Sequence, residues 1–117
     1  MNAKVSKGNG INKTIIIGGI EIPMRATASS PRLYRTVFGK DLIVEMKRAK
    51  EAVAKGNPYD LEFIENMAYL FAYQANKDVP DIDEWLDQFG MTDVFAAAEE
   101  VMSLWGENEE TKSKAKK

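Results

Sequence analysis

Five carboxylates fall close together in the second half of the chain: Asp78, Asp81, Asp83, Glu84 and Asp87. Acidic side chains at this density are the raw material of a calcium loop. Such a loop needs carboxylates at alternate positions, a glycine at the sixth and a bidentate Glu at the twelfth. Counted from Asp78, the third position is Pro80 and the sixth is Asp83; counted from Asp81, the sixth is Leu86. The pattern fails, and these residues read as charges at a helix N-terminus and on a solvated face. The chain has no cysteine and no histidine. Disulfides, thiolate catalysis and thiolate metal sites are thereby excluded. The commonest general base and the commonest transition-metal ligand are missing too. Gly18-Gly19 precedes no G-x-x-x-x-G-K-[ST] pattern, so it reads as a turn and not as a phosphate loop. No catalytic, cofactor-binding or metal-ligating residue is assigned, and the expectation is a protein that is not an enzyme and carries no cofactor.

The basic residues offer a second chemistry. Arg25, Arg32, Arg35, Lys40, Lys47, Arg48, Lys50 and Lys55 lie in the first half of the chain. Clustered Lys and Arg are what phosphate contacts require, and two short helices around Gly39 can be drawn as a helix-turn-helix. Against nucleic acid stand the acidic balance of the whole chain and the lack of interleaved aromatic and basic residues. A basic face for a protein partner is the preferred reading. Up to Gly56 the chain carries eleven Lys/Arg and four Asp/Glu; from Asn57 onward it carries five and fourteen. A half of net +7 thus precedes a half of net −9, which together give the net charge of −2. Such polarity points to interaction surfaces.

The elements that hold these charges are legible in turn. At 117 residues and 44% hydrophobic, the chain suits one domain with a real core. Residues 1–13 form a polar leader, expected to be flexible and lacking the apolar stretch of a secretory signal. Thr14–Ile17 and Ile20–Met24 flank Gly18-Gly19, which predicts a hairpin with a two-residue turn. Pairing Ile17 with Ile20 sets Ile15 opposite Ile22 and Lys13 opposite Met24. Ile15, Ile17, Ile20, Ile22 and Met24 then share one face, and Ile16 and Glu21 the other. Ser30 and Pro31 open a short helix, with Leu33/Val37 and Tyr34/Phe38 at i,i+4, and Gly39 ends it. Lys40-Asp41 opens a second helix whose inner stripe is Leu42, Met46, Ala49 and Val53, widened by Ile43; Gly56 closes it.

Asn57 and Pro58 signal the start of the helix at the centre of the domain, Tyr59–Ala75. Leu61, Ile64, Ala68, Phe71 and Ala75 recur at helical spacing, and Phe63, Met67 and Leu70 add a second stripe. From Met67 to Ala75 the helix is apolar almost all round, so other elements must cover it. Ile82, Trp85, Leu86 and Phe89 mark a further helix stopped by Gly90. The last begins at Thr92, turns Val94, Phe95, Ala98, Val101, Met102 and Trp105 inward, and stops at Gly106. Residues 107–117 have no apolar period and read as a disordered charged tail. The expectation is an α+β fold, mainly α: an N-terminal hairpin packed on a bundle of about five helices spanning 14–106. Core packing is the first reading for Trp85, Phe89, Phe95, Met102 and Trp105; a groove that holds a partner helix is the second.

Three stretches, Arg25-Ala26-Thr27-Ala28, Arg32-Leu33-Tyr34-Arg35 and Phe38-Gly39-Lys40-Asp41-Leu42, resemble the tail assembly chaperones of long-tailed phages and prophages of Gram-positive hosts. Met67-Ala68-Tyr69 and Trp85-Leu86 are similar in character, so the resemblance covers about Thr14 to Trp105. It implies a non-enzymatic protein of the host bacterial cytoplasm, absent from the mature virion. Such a protein coats the tape-measure protein, keeps its apolar helices soluble and recruits tail-tube subunits. The resemblance also implies a longer form made by ribosomal frameshifting, with which the ending Lys112-Ser113-Lys114-Ala115-Lys116-Lys117 is compatible. The alternative is a small helical nucleic-acid-binding regulator using the basic face. For contact with a partner or with further copies in a ring or spiral, the candidate residues are Arg32, Tyr34, Arg35, Phe38, Lys40, Lys47, Arg48, Asp83, Glu84, Trp85, Asp87 and Trp105. No membrane association is expected.

Overall fold

The computed structural model describes residues 10–115. Positions 1–9 of the expected leader, positions 116–117 of the expected tail and the side chains from 107 onward lie outside the described residues. The fold is α+β, with a two-stranded antiparallel hairpin followed by six helices among the described residues. Strands β1 (Gly10–Ile17) and β2 (Ile20–Thr27) pair in the expected register, with Ile17 opposite Ile20, Ile15 opposite Ile22 and Lys13 opposite Met24. Ile15, Ile17, Ile22, Met24 and Ala26 are buried on one face, while Ile20 at the turn stays partly exposed. β1 begins at Gly10, so positions 10–13 belong to the sheet and not to a leader. The extra length brings Ile11 against the core.

Helix α1 (Ser30–Phe38) follows directly. Its N-cap is Ser29, which makes no side-chain cap bond, and the expected cap Ser30 serves elsewhere. Ser30 is fully buried. Its Oγ accepts from the Thr27 amide at 3.0 Å and donates to Gln74 Oε1, while Gln74 Nε2 donates to Thr27 Oγ1 at 3.0 Å. These bonds tie the end of β2 and the start of α1 to the end of the third helix, and they satisfy a buried hydroxyl that would otherwise be costly. Helix α2 (Leu42–Ala54) is capped by Asp41, whose Oδ1 accepts from the amides of Ile43 and Val44 at 2.9 and 3.2 Å. It closes through Gly56 at φ 90°: the Asn57 amide bonds the Ala52 carbonyl and the Gly56 amide the Val53 carbonyl.

α3 starts later than the Asn-Pro signal suggests, because Asp60 makes the capping bond while the Asn57 amide closes α2. It spans Leu61–Ala75, with Asp60 as N-cap accepting from the Phe63 amide at 3.1 Å. Phe63, Ile64 and the run from Asn66 to Ala72 are all buried, so this helix does occupy the centre. Leu61 and Ala75, at its two ends, are exposed. α4 is shorter than expected, Ile82–Leu86, because tighter i→i+3 bonds take over at Gln88 and Phe89. The single C-terminal helix expected from Thr92 is broken at Ala97 into α5 (Asp93–Ala96) and α6 (Ala98–Ala115). Phe95 faces solvent, whereas Leu104 is fully buried. α6 does not stop at Gly106. A mid-helix glycine costs only about 1 kcal/mol, and the Glu- and Lys-rich segment that follows favours helix.

The hairpin's inner face rests on α3 and α6, and α1, α4 and α5 pack on the remaining sides of α3. Among the described residues no helix is long and apolar enough to cross a membrane.

Candidate interaction surface

The basic residues singled out in the sequence converge on α1 and α2. Arg32, Arg35, Lys40, Lys47 and Arg48 are all exposed. Among the described residues two ion pairs involve them. Arg48 meets Glu45 of its own helix at 3.1 Å, and Lys40 reaches Glu62 at 3.9 Å. Exposed pairs like these contribute roughly 0–1 kcal/mol. Asp83, Glu84 and Asp87 are exposed on and just after α4. Among the described residues no ion pair joins them to Arg32, Arg35 or Lys47. The charge polarity is therefore displayed on the surface and is not neutralised between these two groups. Asp81 caps α4, its Oδ1 accepting from the Glu84 amide at 3.0 Å. Arg25 sits apart from the others on β2. It lines a polar cleft of about 430 Å³ shared with Asn12, Thr14 and Gln74, and its Nε is buried with no hydrogen-bond partner among the described residues.

None of the four aromatic candidates faces outward: Tyr34, Trp85 and Trp105 are buried and Phe38 is half-buried. Tyr34 is fully buried, stacked obliquely on Phe38 at 4.9 Å between ring centroids and edge-on to Phe63 at 6.5 Å. Phe38 is half-buried beside it. The Tyr34 hydroxyl has no partner of good hydrogen-bond geometry, although the Asn66 side chain lies close enough to lower its pKa. Burial outweighs Asn66 and raises the phenol above its ordinary 10.0. Trp85 is buried as well, edge-on to Tyr69 at 5.6 Å and to Phe89 at 5.0 Å. Tyr69 in turn donates to the Pro80 carbonyl at 2.7 Å. These rings fix α1 and α4 on α3 and support a surface without forming one.

Spacing alone did not reveal that the basic helices carry several exposed aliphatic side chains, on more than one side of α2. Val37 of α1 is 44% exposed, and on α2 Ile43, Val44 and Val53 are 54%, 52% and 38% exposed. Val53 and Ile43 were expected in the buried stripe, but only Leu42, Met46 and Ala49 of that helix are covered. The periodicity was visible; what it lacks is a covering element. α2 packs on α1, and its far side meets Trp105 across a groove of about 380 Å³. The groove is lined by Ile43, Met46, Lys47, Lys50, Glu51, Ala54 and Trp105. Trp105 is 9% exposed, and its Nε1 is buried with no hydrogen-bond partner among the described residues.

The surface of α1 and α2 thus carries exposed aliphatic side chains among arginines and lysines, above the ring contacts of Tyr34, Phe38 and Phe63. Comparison with protein-family models, with curated proteins and with solved structures finds no match for the chain.

Proposed function

We propose that the protein is a tail assembly chaperone of a long-tailed phage, holding apolar helices of the tape-measure protein and bringing tail-tube subunits to it in the host bacterial cytoplasm. The reading rests on the resemblance carried by Arg25–Ala28, Arg32–Arg35 and Phe38–Leu42. The observation that supports it is the set of exposed aliphatic side chains Val37, Ile43, Val44 and Val53 on the basic helices. A protein that keeps foreign helices soluble needs accessible apolar surface, and it needs charge around that surface to remain soluble itself. The same reading includes self-association, because one chain carries both a basic and an acidic exposed group.

The test is co-expression with the tape-measure protein encoded in the same genome. The chaperone moves tape-measure protein from the pellet to the supernatant, and the two co-purify. Replacing Ile43 and Val44 together by Ser weakens both effects. An insoluble tape-measure protein in the presence of abundant wild-type chain would sink the proposal. Retention on duplex DNA at physiological salt, lost on changing Arg32 and Arg35 to Glu, would favour the nucleic-acid alternative.

A further inference from the structure

We infer that the outer edge of β1 pairs antiparallel with the same edge of a second copy, joining two hairpins into one four-stranded sheet. The turn fixes which backbone groups the hairpin leaves over. Gly18 and Gly19, at φ 57° and 82°, make a primed two-residue turn, so Ile17 and Ile20 on either side of it exchange hydrogen bonds. In an antiparallel ladder bonded and non-bonded pairs alternate. Ile16 with Glu21, Thr14 with Pro23 and Asn12 with Arg25 are therefore non-bonded pairs, whose amides and carbonyls point away from the partner strand. Among the described residues no backbone bond from outside the hairpin reaches Asn12, Thr14 or Ile16. All three are exposed, Ile16 at 58%.

The two edges of the hairpin differ. On β2 the outward positions are Glu21, Pro23 and Arg25, two charges and a residue with no amide, and such residues keep edge strands from pairing. On β1 they are Asn12, Thr14 and Ile16, with neither charge nor proline. The occupant follows from this row, which is its own complement about a two-fold axis through its central residue, Thr14. Thr14 then faces Thr14 of the second copy and Asn12 faces Ile16 of the second copy, each pair exchanging two bonds. On the inner face Lys13 falls opposite Ile15 of the second copy, so no like charges are set directly across. A two-stranded hairpin is marginal alone, and four strands reach the usual size of a sheet. The contact joins identical patches and needs no charge, which separates it from any attraction between the basic and acidic groups.

The experiment uses the full chain at about 1 M salt, where a Debye length of about 3 Å suppresses contacts between charged patches. Amide hydrogen exchange is followed by NMR at low and at high protein concentration. The amides of Asn12, Thr14 and Ile16 slow at least about tenfold on concentration, in step with a dimer seen by sedimentation, while those of Lys13, Ile15 and Ile17 are protected throughout. Thr14→Pro removes only an outward amide, so it abolishes the dimer and leaves the hairpin's own protection in place. The chain has no cysteine, so Thr14→Cys supplies a single thiol. Paired copies hold the two Cα atoms about 5.5 Å apart, within disulfide reach, and oxidation gives a covalent dimer; Glu21→Cys on β2 does not. A monomer at every concentration overturns the inference, as does a dimer whose three amides still exchange freely or one that cross-links equally through Glu21→Cys. Protection of the three amides that is independent of concentration also overturns it, because the chain then covers its own edge.

Discussion

Gly18 and Asp93 meet where the hairpin turn touches the start of α5. Gly18 has φ 57°, and a Cβ placed there would overlap Asp93 Oδ2, the oxygen that also accepts from the Gly90 amide at 2.7 Å. Gly18→Ala is expected to cost about 1–3 kcal/mol through left-handed strain and the overlap together. Thermal denaturation checks the loss. Adding Asp93→Ala should recover the overlap part, so that the double variant is less destabilised than the sum of the singles; strict additivity would show that the two residues do not touch. Glu65 gives a pH signature. Burial, then the carboxylates of Glu62 and Asp60, raise its pKa above the ordinary 4.5. The folded chain therefore holds that proton to higher pH than the unfolded chain does. The stability this contributes is complete below the ordinary carboxylate pKa and is lost as pH rises through the raised value. Glu65→Gln should stabilise the domain at about pH 7 and have little effect at about pH 3 in denaturant titrations. A gain of equal size at both pH values would contradict the assignment.

At the scale of elements, caps decide where helices begin. Two signals compete before α3, Asn57-Pro58 and Asp60, and only the second makes a capping bond. Asp60→Ala should lower stability by about 1 kcal/mol, and Asn57→Ala by much less, because Asn57 contributes its backbone amide to the end of α2. Urea unfolding of the two variants compares them, and equal losses would return the start of the helix to Asn57. The hairpin register was legible because β-branched residues alternate about a glycine pair, and a one-residue slip would expose the whole inner face. The centrality of α3 was legible because an all-round apolar segment has no solvent face to offer. The surface of α2 was not. Spacing tells which of Leu42, Ile43, Met46 and Val53 share a side of the helix, but whether another element covers that side depends on tertiary packing. Ser30 was misread as a cap for a related reason: its partner Gln74 lies 44 positions away and leaves no local trace. The aromatic candidates Tyr34 and Trp85 look alike in sequence whether they face a core or a partner.

For the whole molecule, the exposed basic group on α1 and α2 and the exposed acidic group around α4 are complementary between copies. Contact between two different patches is heterologous and propagates to a ring or an open spiral. Light scattering should find species larger than a dimer at low salt that shrink as the Debye length falls toward about 8 Å at physiological ionic strength. Changing Arg32 and Arg35 to Glu should abolish them. Mixing in chains with Asp83 and Asp87 changed to Lys should restore a joint species. Nothing larger than a dimer, at high protein concentration and low salt, would mean that the two charged groups do not meet.

Lys13 Nζ reaches Ser103 Oγ at 3.4 Å across 90 positions of sequence. The hairpin's inner face is completed by α6, so the first strand made on the ribosome waits for the last helix. At about 5–20 residues per second that wait is on the order of 5–20 s, during which the face of Ile15, Ile17 and Met24 has only α3 to rest on. The chain proposed to shield another protein's apolar helices thus carries, until its own α6 is made, a partly bare apolar face of its own.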